Sequence, residues 1–417
     1  MTSDALGTPF RVPHVLLSRP RALIARALVQ QVVGTLPVRL RFPDGTITGG
    51  GGPHSPTFEV LREDELFARI GDHPKIGLGE AYMAGLWRAG QDTDLADLLA
   101  PFAQRLGNIL PRPLMRLRAL VDEALPDRHR NTVHGARRNI EAHYDLSNDL
   151  FAAFLDPSMT YSSALFDPSA PREHQDLHRA QLRKIDAILD RAGVTEGTRL
   201  LEIGSGWGEL ALRAAGRGAT VTTITLSAEQ QALARQKLAA AGVADRVEVR
   251  LQDYRDVRGE FDAVVSVEMI EAVGEEFWPT YFAAIDDRLA PGGSAVVQSI
   301  LMDHDRYLMT RNSHGWIQKY IFPGGLIPSL TAIREVTAAH TQLRVTQVRS
   351  FGMDYAETLR RWRATFLESW PMIAGERFDE TFRRMWEFYL AYCEAGFATG
   401  YLDVAQITLR RSAEIGP

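Results

Sequence analysis

The chain has 417 residues, 45% of them hydrophobic and 24% charged, and a formal net charge of -5 at pH 7. That length exceeds what one hydrophobic core usually serves, so two domains are expected, and the slightly acidic balance gives no reason to expect nucleic acid as the main partner. A single cysteine, Cys393, excludes an intramolecular disulfide framework and any multi-cysteine metal site, and the 11 histidines include no H-E-x-x-H motif.

In chain order, the first element is RPRALIARALVQQVVG (19–34), where Leu23, Ile24, Ala27, Leu28 and Val32 recur at helical spacing beside Arg21 and Arg26. This predicts a basic amphipathic helix. Packing on its own domain is the default reading and a membrane surface the alternative. PVRLRFPDG and TFEVLR read as short strands around the turn TGGGGPHSP, and KIGLGEAYMAGLW (75–87) opens a helical stretch ending near Gly107. Next, Arg112, Arg116, Arg118, Arg128, Arg130, Arg137 and Arg138 outnumber Asp122, Glu123 and Asp127. They form either a solvated linker or a surface for anionic headgroups, each near-surface cation contributing on the order of 1 kcal/mol. A boundary here divides residues 1–125, a small α+β domain, from residues 126–417.

From Gly197 onward the pattern alternates between strand and helix. Strands are expected at 199–203, 220–226, 247–251, 262–267 and 294–300, with helical windows such as SAEQQALARQKLAAAG and FWPTYFAAIDDRLA between them. Such alternation predicts an α/β, Rossmann-like parallel sheet with ligands beyond the carboxyl ends of its strands. The stretch 302–329 is too long for an ordinary connection and reads as a lid insertion. A helical region at 354–398 and a last strand near DVAQITLRR close the chain. No run approaches the roughly 18 apolar residues that cross a bilayer, and no secretory signal is evident, so a cytoplasmic protein with peripheral membrane contact is expected.

The chemistry centres on RLLEIGSGWGEL (199–210). Gly204, Gly206 and Gly208 follow the first strand, but Glu209 stands where a dinucleotide fingerprint needs its third glycine. An acid at the start of the next helix disfavours a diphosphate, so the turn suits a phosphate-free ligand. Thr225 and Gln230 lie at the next strand end, and Asp253 with Tyr254 at the third, where a carboxylate and a ring suit an adenine. Glu271 follows the fourth strand, where it either meets a ligand or caps a helix. Glu268, three residues earlier, fits either role and spacing does not decide. Taken bare, Tyr355 is a core tyrosine and Cys393 a small buried hydrophobe.

HYDLSNDLFAAFLDPSMTYSSALF (143–166), LEIGSGWG, TLSAEQ, WIQKYIFPGG, DYAETL and GYLDVAQ together resemble the cyclopropane-fatty-acid synthases, S-adenosylmethionine (SAM)-dependent lipid methyltransferases, in the family's order. GLGEAYMAGLW resembles the extra N-terminal domain of the phospholipid-acting members. The resemblance implies a class I methyltransferase fold with a lid over 126–417 and a lipid-binding or assembly role for 1–125. It implies SAM on Tyr161, Ser162, Glu202, Gly204, Gly206, Trp207, Gly208, Thr225, Leu226, Gln230, Asp253 and Tyr254. Trp207 and Tyr161 would face the sulfonium, a contact worth roughly 0.5–2 kcal/mol.

An alkene attacked by a methyl cation equivalent leaves a carbocation, which must lose a proton. The resemblance implies a bound bicarbonate as the base, with Glu271, Tyr355, Gln298, Ser163, Ile300 and Cys393 as the catalytic set. Two positions depart from the family pattern: YSSA puts Ser163 where a cysteine is usual, and VQSI puts Gln298 where a histidine is usual. Glutamine cannot carry an imidazole's proton. The expected product is therefore a methylene-branched chain, precursor of 10-methyl fatty acids, made on an oleoyl-type phospholipid at the inner membrane face. The expected partners are a separate reductase and a second copy of the chain. Cyclopropane formation is the alternative. A methyltransferase for a soluble acceptor and a non-catalytic lipid-binding relative are the rival readings.

Overall fold

The computed structural model describes residues 12–15, 18–105 and 147–412. The seven arginines between 112 and 138 lie outside them, as does the part of the HYDLSNDL block before residue 147. The described residues form two compact units. One takes residues up to 105 together with His314–Ile321 and Leu359–Tyr401, and the other takes 147–313, Phe322–Thr358 and 402–412. The first unit thus also takes two segments from beyond residue 125.

In the first unit a helix Arg19–Gly34 precedes β1 (Arg39–Arg41), β2 (Ile47–Thr48), β3 (Thr57–Val60) and β4 (Trp87–Ala89), which form a sheet in the order β2-β1-β3-β4. The helix has the expected bounds, but its apolar stripe does not pack inward. Leu23, Ile24 and Leu28 are 65%, 62% and 56% exposed, while Ala25 and Val33 are buried. The expected helical stretch from 75 to 107 is also interrupted. Helix Gly77–Met83 stops at Gly85, whose φ of +65° favours glycine, and β4 intervenes before helix Leu95–Arg105. Trp87 explains the interruption, since its ring stacks on Phe58 at 4.2 Å and its Nε1 donates to the Leu78 carbonyl.

The second unit is built on a seven-stranded sheet, β5 (Arg199–Ile203), β6 (Thr220–Thr225), β7 (Val247–Leu251), β8 (Phe261–Val267), β9 (Leu289–Met302), β10 (Leu343–Ser350) and β11 (Leu402–Arg411), in the order β10-β11-β9-β8-β5-β6-β7. The pairs joining β5 through β9 are parallel, whereas β11 runs antiparallel to both β9 and β10. Neighbouring residues on β5 point to opposite faces. Leu201 packs with Val264, Phe282 and Ile285 on one side, and Leu200 with Ile185, Val221 and Val265 on the other. Apolar layers on both faces need helices on both faces, and strand order reverses between β5 and β8. That switch point opens the crevice in which open α/β sheets bind ligands.

The stretch 302–329, expected to be an irregular lid, contains helices His304–Thr310 and Trp316–Tyr320. Residues 314–321 belong to the first unit, where Trp316 meets Phe388 edge-on and Lys319 and Tyr320 both reach the Glu80 carboxylate at 2.6 Å.

Candidate active site

The turn after β5 is sharp because Gly204, Gly206 and Gly208 all take positive φ, at +96°, +48° and +89°. Their roles differ. A Cβ on Gly206 would meet nothing within 4 Å, which leaves room for a ligand against the backbone. At Gly208 a Cβ would sit 3.0 Å from the Ala234 Cβ, so this glycine serves helix packing and does not line the pocket.

The pocket above the turn collects most of the residues expected around the cofactor: Tyr161, Ser162, Glu202, Gly204, Gly206, Trp207, Thr225, Leu226, Gln230 and Tyr254. Its empty space is about 1060 Å³ with the open mouth included. Trp207 is fixed by an Nε1 donation to Asn148 at 2.8 Å and by Phe151, whose ring also abuts Tyr161. Thr225 and Gln230 are tied by a 2.8 Å side-chain hydrogen bond. Asp253 stands apart: both its oxygens accept from Arg255 at 2.8 Å, and it caps the short helix Tyr254–Asp256. Only the Tyr254 half of that pair reaches the pocket.

The lining acids are Glu202, Glu209 and Glu268, and the lining base is Lys184. Glu209 is compensated by Lys237 at 2.5 Å, so its effect on a phosphate is weaker than its position suggests. Burial pushes the Glu202 carboxyl up to about 8, against the hydrogen bond from Thr223 and the Lys184 charge. Burial likewise brings the Lys184 ammonium down to about 8, although Glu268, Asp156 and Glu202 pull the other way. The Lys184 Nζ donates to the Ser162 Oγ at 2.6 Å. Sequence reading missed this lysine, whose helix window also carries exposed charges.

Beyond the turn, the residues expected around a base do converge, but on Glu268. Its Oε1 accepts from the Ser163 amide at 3.0 Å and from Gln298 Nε2 at 2.9 Å, and its Oε2 accepts from the Tyr355 hydroxyl at 2.8 Å. Tyr355 is held there because the 163–166 loop is fastened to the start of helix Gly352–Ile373: the Ala164 amide donates to Thr358 Oγ1 and the Phe166 amide to Asp354 Oδ2. Gln298 is fully buried on β9 beside its cross-strand partner Gln406. Glu268 itself has φ +50°, a left-handed conformation that costs a non-glycine residue roughly 1–2 kcal/mol.

Glu271 faces elsewhere. Its Oε1 accepts from the Ile300 amide at 2.5 Å and the Ser299 hydroxyl at 3.1 Å, and its buried Oε2 has no partner. Burial first, and the neighbouring Glu268 charge second, push its carboxyl up to about 8. Burial also raises Glu268, opposed by Lys184 and the three donors. Cys393 lies in helix Glu380–Ala398 of the first unit and is not among the lining residues, and burial pushes its thiol up to about 12.

The model of the mycolic acid cyclopropane synthetase family matches residues 131–407. The chain belongs to this family. It is 50% identical over 98% of its length, and 96% of the other's, to the tuberculostearic acid methyltransferase UfaA1 of Mycobacterium tuberculosis. It is 34% identical to the cyclopropane-fatty-acyl-phospholipid synthase of Escherichia coli over 85% of this chain and 88% of that one. Among solved structures, the mycolic acid cyclopropane synthase CmaA1 complexed with SAH and CTAB superimposes with a TM-score of 0.60 at 30% identity, covering 70% of this chain and all of that one. The fold is thus that of a class I SAM-dependent methyltransferase, and this family member is an enzyme that uses SAM.

Proposed function

We propose that this enzyme methylates the double bond of an unsaturated acyl chain in a phospholipid and that loss of a proton leaves a methylene branch, the precursor of a 10-methyl fatty acid. The near-full-length likeness to a tuberculostearic acid methyltransferase carries this reading. The pocket is consistent with it: a cationic, phosphate-free cofactor suits the lining Glu268 carboxylate, a backbone left open at Gly206, and the Trp207 and Tyr161 rings. Bound SAM supplies an electrophilic methyl group on a sulfonium. The apolar residues Ile185, Ile203, Leu210, Ile224, Val267 and Met269 in the lining would limit the water able to quench a chain cation.

The lipid would be met at a membrane surface. No helix among the described residues is long and apolar enough to cross a bilayer, but the exposed Leu23, Ile24 and Leu28 beside Arg21 and Arg26 suit an interfacial helix. Converting the methylene to a methyl branch requires a separate reductase. Cyclopropane closure is the second reading, favoured by the likeness to the Escherichia coli synthase.

The test is turnover of methyl-labelled SAM on vesicles of dioleoyl phospholipid, beside distearoyl vesicles and soluble acceptors. Label in the dioleoyl lipid alone is expected. Label on saturated lipid or on a soluble acceptor would reject the reading.

A further inference from the structure

The family resemblance implies a bicarbonate base, but the donors expected to hold it are turned to carboxylates of this chain itself. Tyr355, Gln298 and the Ser163 amide already donate to Glu268, and the Ile300 amide to Glu271. An anion beside the buried Glu268 carboxylate would also be opposed by like charge. We infer that the Glu268 carboxylate is itself the general base that removes the proton from the methylated chain, so that this enzyme carries its base on one of its own side chains and needs none from solution. The inference rests on the proposed lipid methylation.

Three observations carry it. First, Glu268 is the one member of its cluster able to accept a proton at neutral pH, since Tyr355 is a phenol, Gln298 an amide and Ser163 contributes a backbone N–H. Second, Glu268 lines the cofactor pocket, next to Gly204 and Met269, whereas Glu271 does not. Third, its carboxylate is placed by a left-handed backbone that a glycine would adopt more readily, and held by hydrogen bonds from three separate segments. Strain of this kind persists where the surroundings over-determine it, as at functional sites. Burial raises its carboxyl, which improves it as a base, while Lys184 and the bound sulfonium favour the ionised form.

The step balances. The alkene electron pair forms the bond to the incoming methyl carbon, the S–CH₃ pair remains on sulfur, and the adjacent chain carbon becomes cationic. A hydride shift from the methylated carbon moves the cation onto the branch point. Glu268 then takes a proton from the new methyl group, whose C–H pair becomes the C=CH₂ bond. Proton removal before the shift would instead close a cyclopropane.

The experiment compares the wild type, Glu268→Gln and Glu268→Gly on dioleoyl vesicles, in buffer freed of bicarbonate and then with bicarbonate or formate added. SAM binding is measured alongside by calorimetry. Glu268→Gly relieves the positive φ and opens the carboxylate's place, which guards against loss through misfolding. The wild type should be indifferent to bicarbonate. Both variants should bind SAM but lose at least about 100-fold in turnover, the usual scale of a general base. Bicarbonate or formate should restore part of the rate in Glu268→Gly and none in Glu268→Gln. The wild-type rate should rise with pH as Glu268 ionises. A bicarbonate-dependent wild type, or a Glu268→Gln variant as fast as the wild type, would overturn the assignment while leaving lipid methylation standing. A wild type that labels no lipid would overturn both.

Discussion

Binding of SAM should expel protons from this pocket at neutral pH. Without ligand, burial pushes the Glu202 carboxyl up to about 8, so at pH 7 it is mostly protonated. A sulfonium and an ammonium brought into the same pocket favour the ionised carboxylate and pull that value down. Lys184, at about 8, is mostly charged at pH 7, and a nearby cation lowers it further, so its release has the same sign. The bound state thus holds fewer protons than the free state. Affinity should rise with pH, by up to tenfold or about 1.4 kcal/mol between pH 6 and 7 for each proton released, and level off above about pH 8. Titration calorimetry at pH 7 in phosphate and in Tris reads the released protons from the difference in apparent enthalpy. About one proton is expected, fewer for S-adenosylhomocysteine, which lacks the sulfonium charge, and fewer again for Glu202→Gln. An enthalpy independent of buffer, or an affinity that falls from pH 6 to 8, would refute this electrostatic description.

Leu23→Asp combined with Leu28→Asp should weaken binding to anionic vesicles on the order of 100-fold in a flotation assay while leaving SAM affinity unchanged, because each leucine contributes about 1.5–3 kcal/mol when its side chain leaves water. In the first unit, buried Glu80 accepts from Arg69, Lys319 and Tyr320. Glu80→Gln should lower stability by about 3–5 kcal/mol in denaturant titration, since two cations lose their counter-charge. Although burial alone would raise it, the Lys319 and Tyr320 hydrogen bonds hold the Glu80 carboxyl below its usual value, so this contribution is present at neutral pH and disappears as pH falls through that lowered value. Gly208→Ala should cost about 1–2 kcal/mol through its left-handed φ, and more where the new Cβ presses on Ala234, read as a fall in Tm.

The parts of the molecule that follow simple periodicity were legible in the sequence. β5, β6, β7 and β8 fall within one residue of their expected bounds because their segments are rich in apolar and β-branched residues between turns, and the glycine turn after β5 announced the ligand site. β10 escaped because LRVTQVRS is mostly polar, and its pairing with β11 depends on a partner more than 50 residues away. The short β4 hid inside a helical pattern because Trp87 is placed by stacking on Phe58, a tertiary contact.

The site shows a sharper limit. Glu268 and Glu271 are three residues apart and chemically identical, and which of them meets Tyr355, Gln298 and Ser163 is decided by a single positive φ at Glu268 followed by the tight turn Ile270–Ala272. No side-chain pattern encodes that reversal. Lys184 illustrates the same point from the other side, since a lysine in a charged helix window reads as solvated until the fold buries it beside Ser162.

Incubation of the enzyme with SAM carrying a trideuterated methyl group and dioleoyl phospholipid, followed by mass spectrometry and proton NMR of the acyl chains, is the most direct measurement. The expected product is an acyl chain longer by one carbon that keeps two of the three deuteriums, with an exocyclic double bond at the branch. A chain that keeps all three deuteriums, or lipid recovered without deuterium, would contradict methylation of the double bond followed by proton loss from the new methyl group.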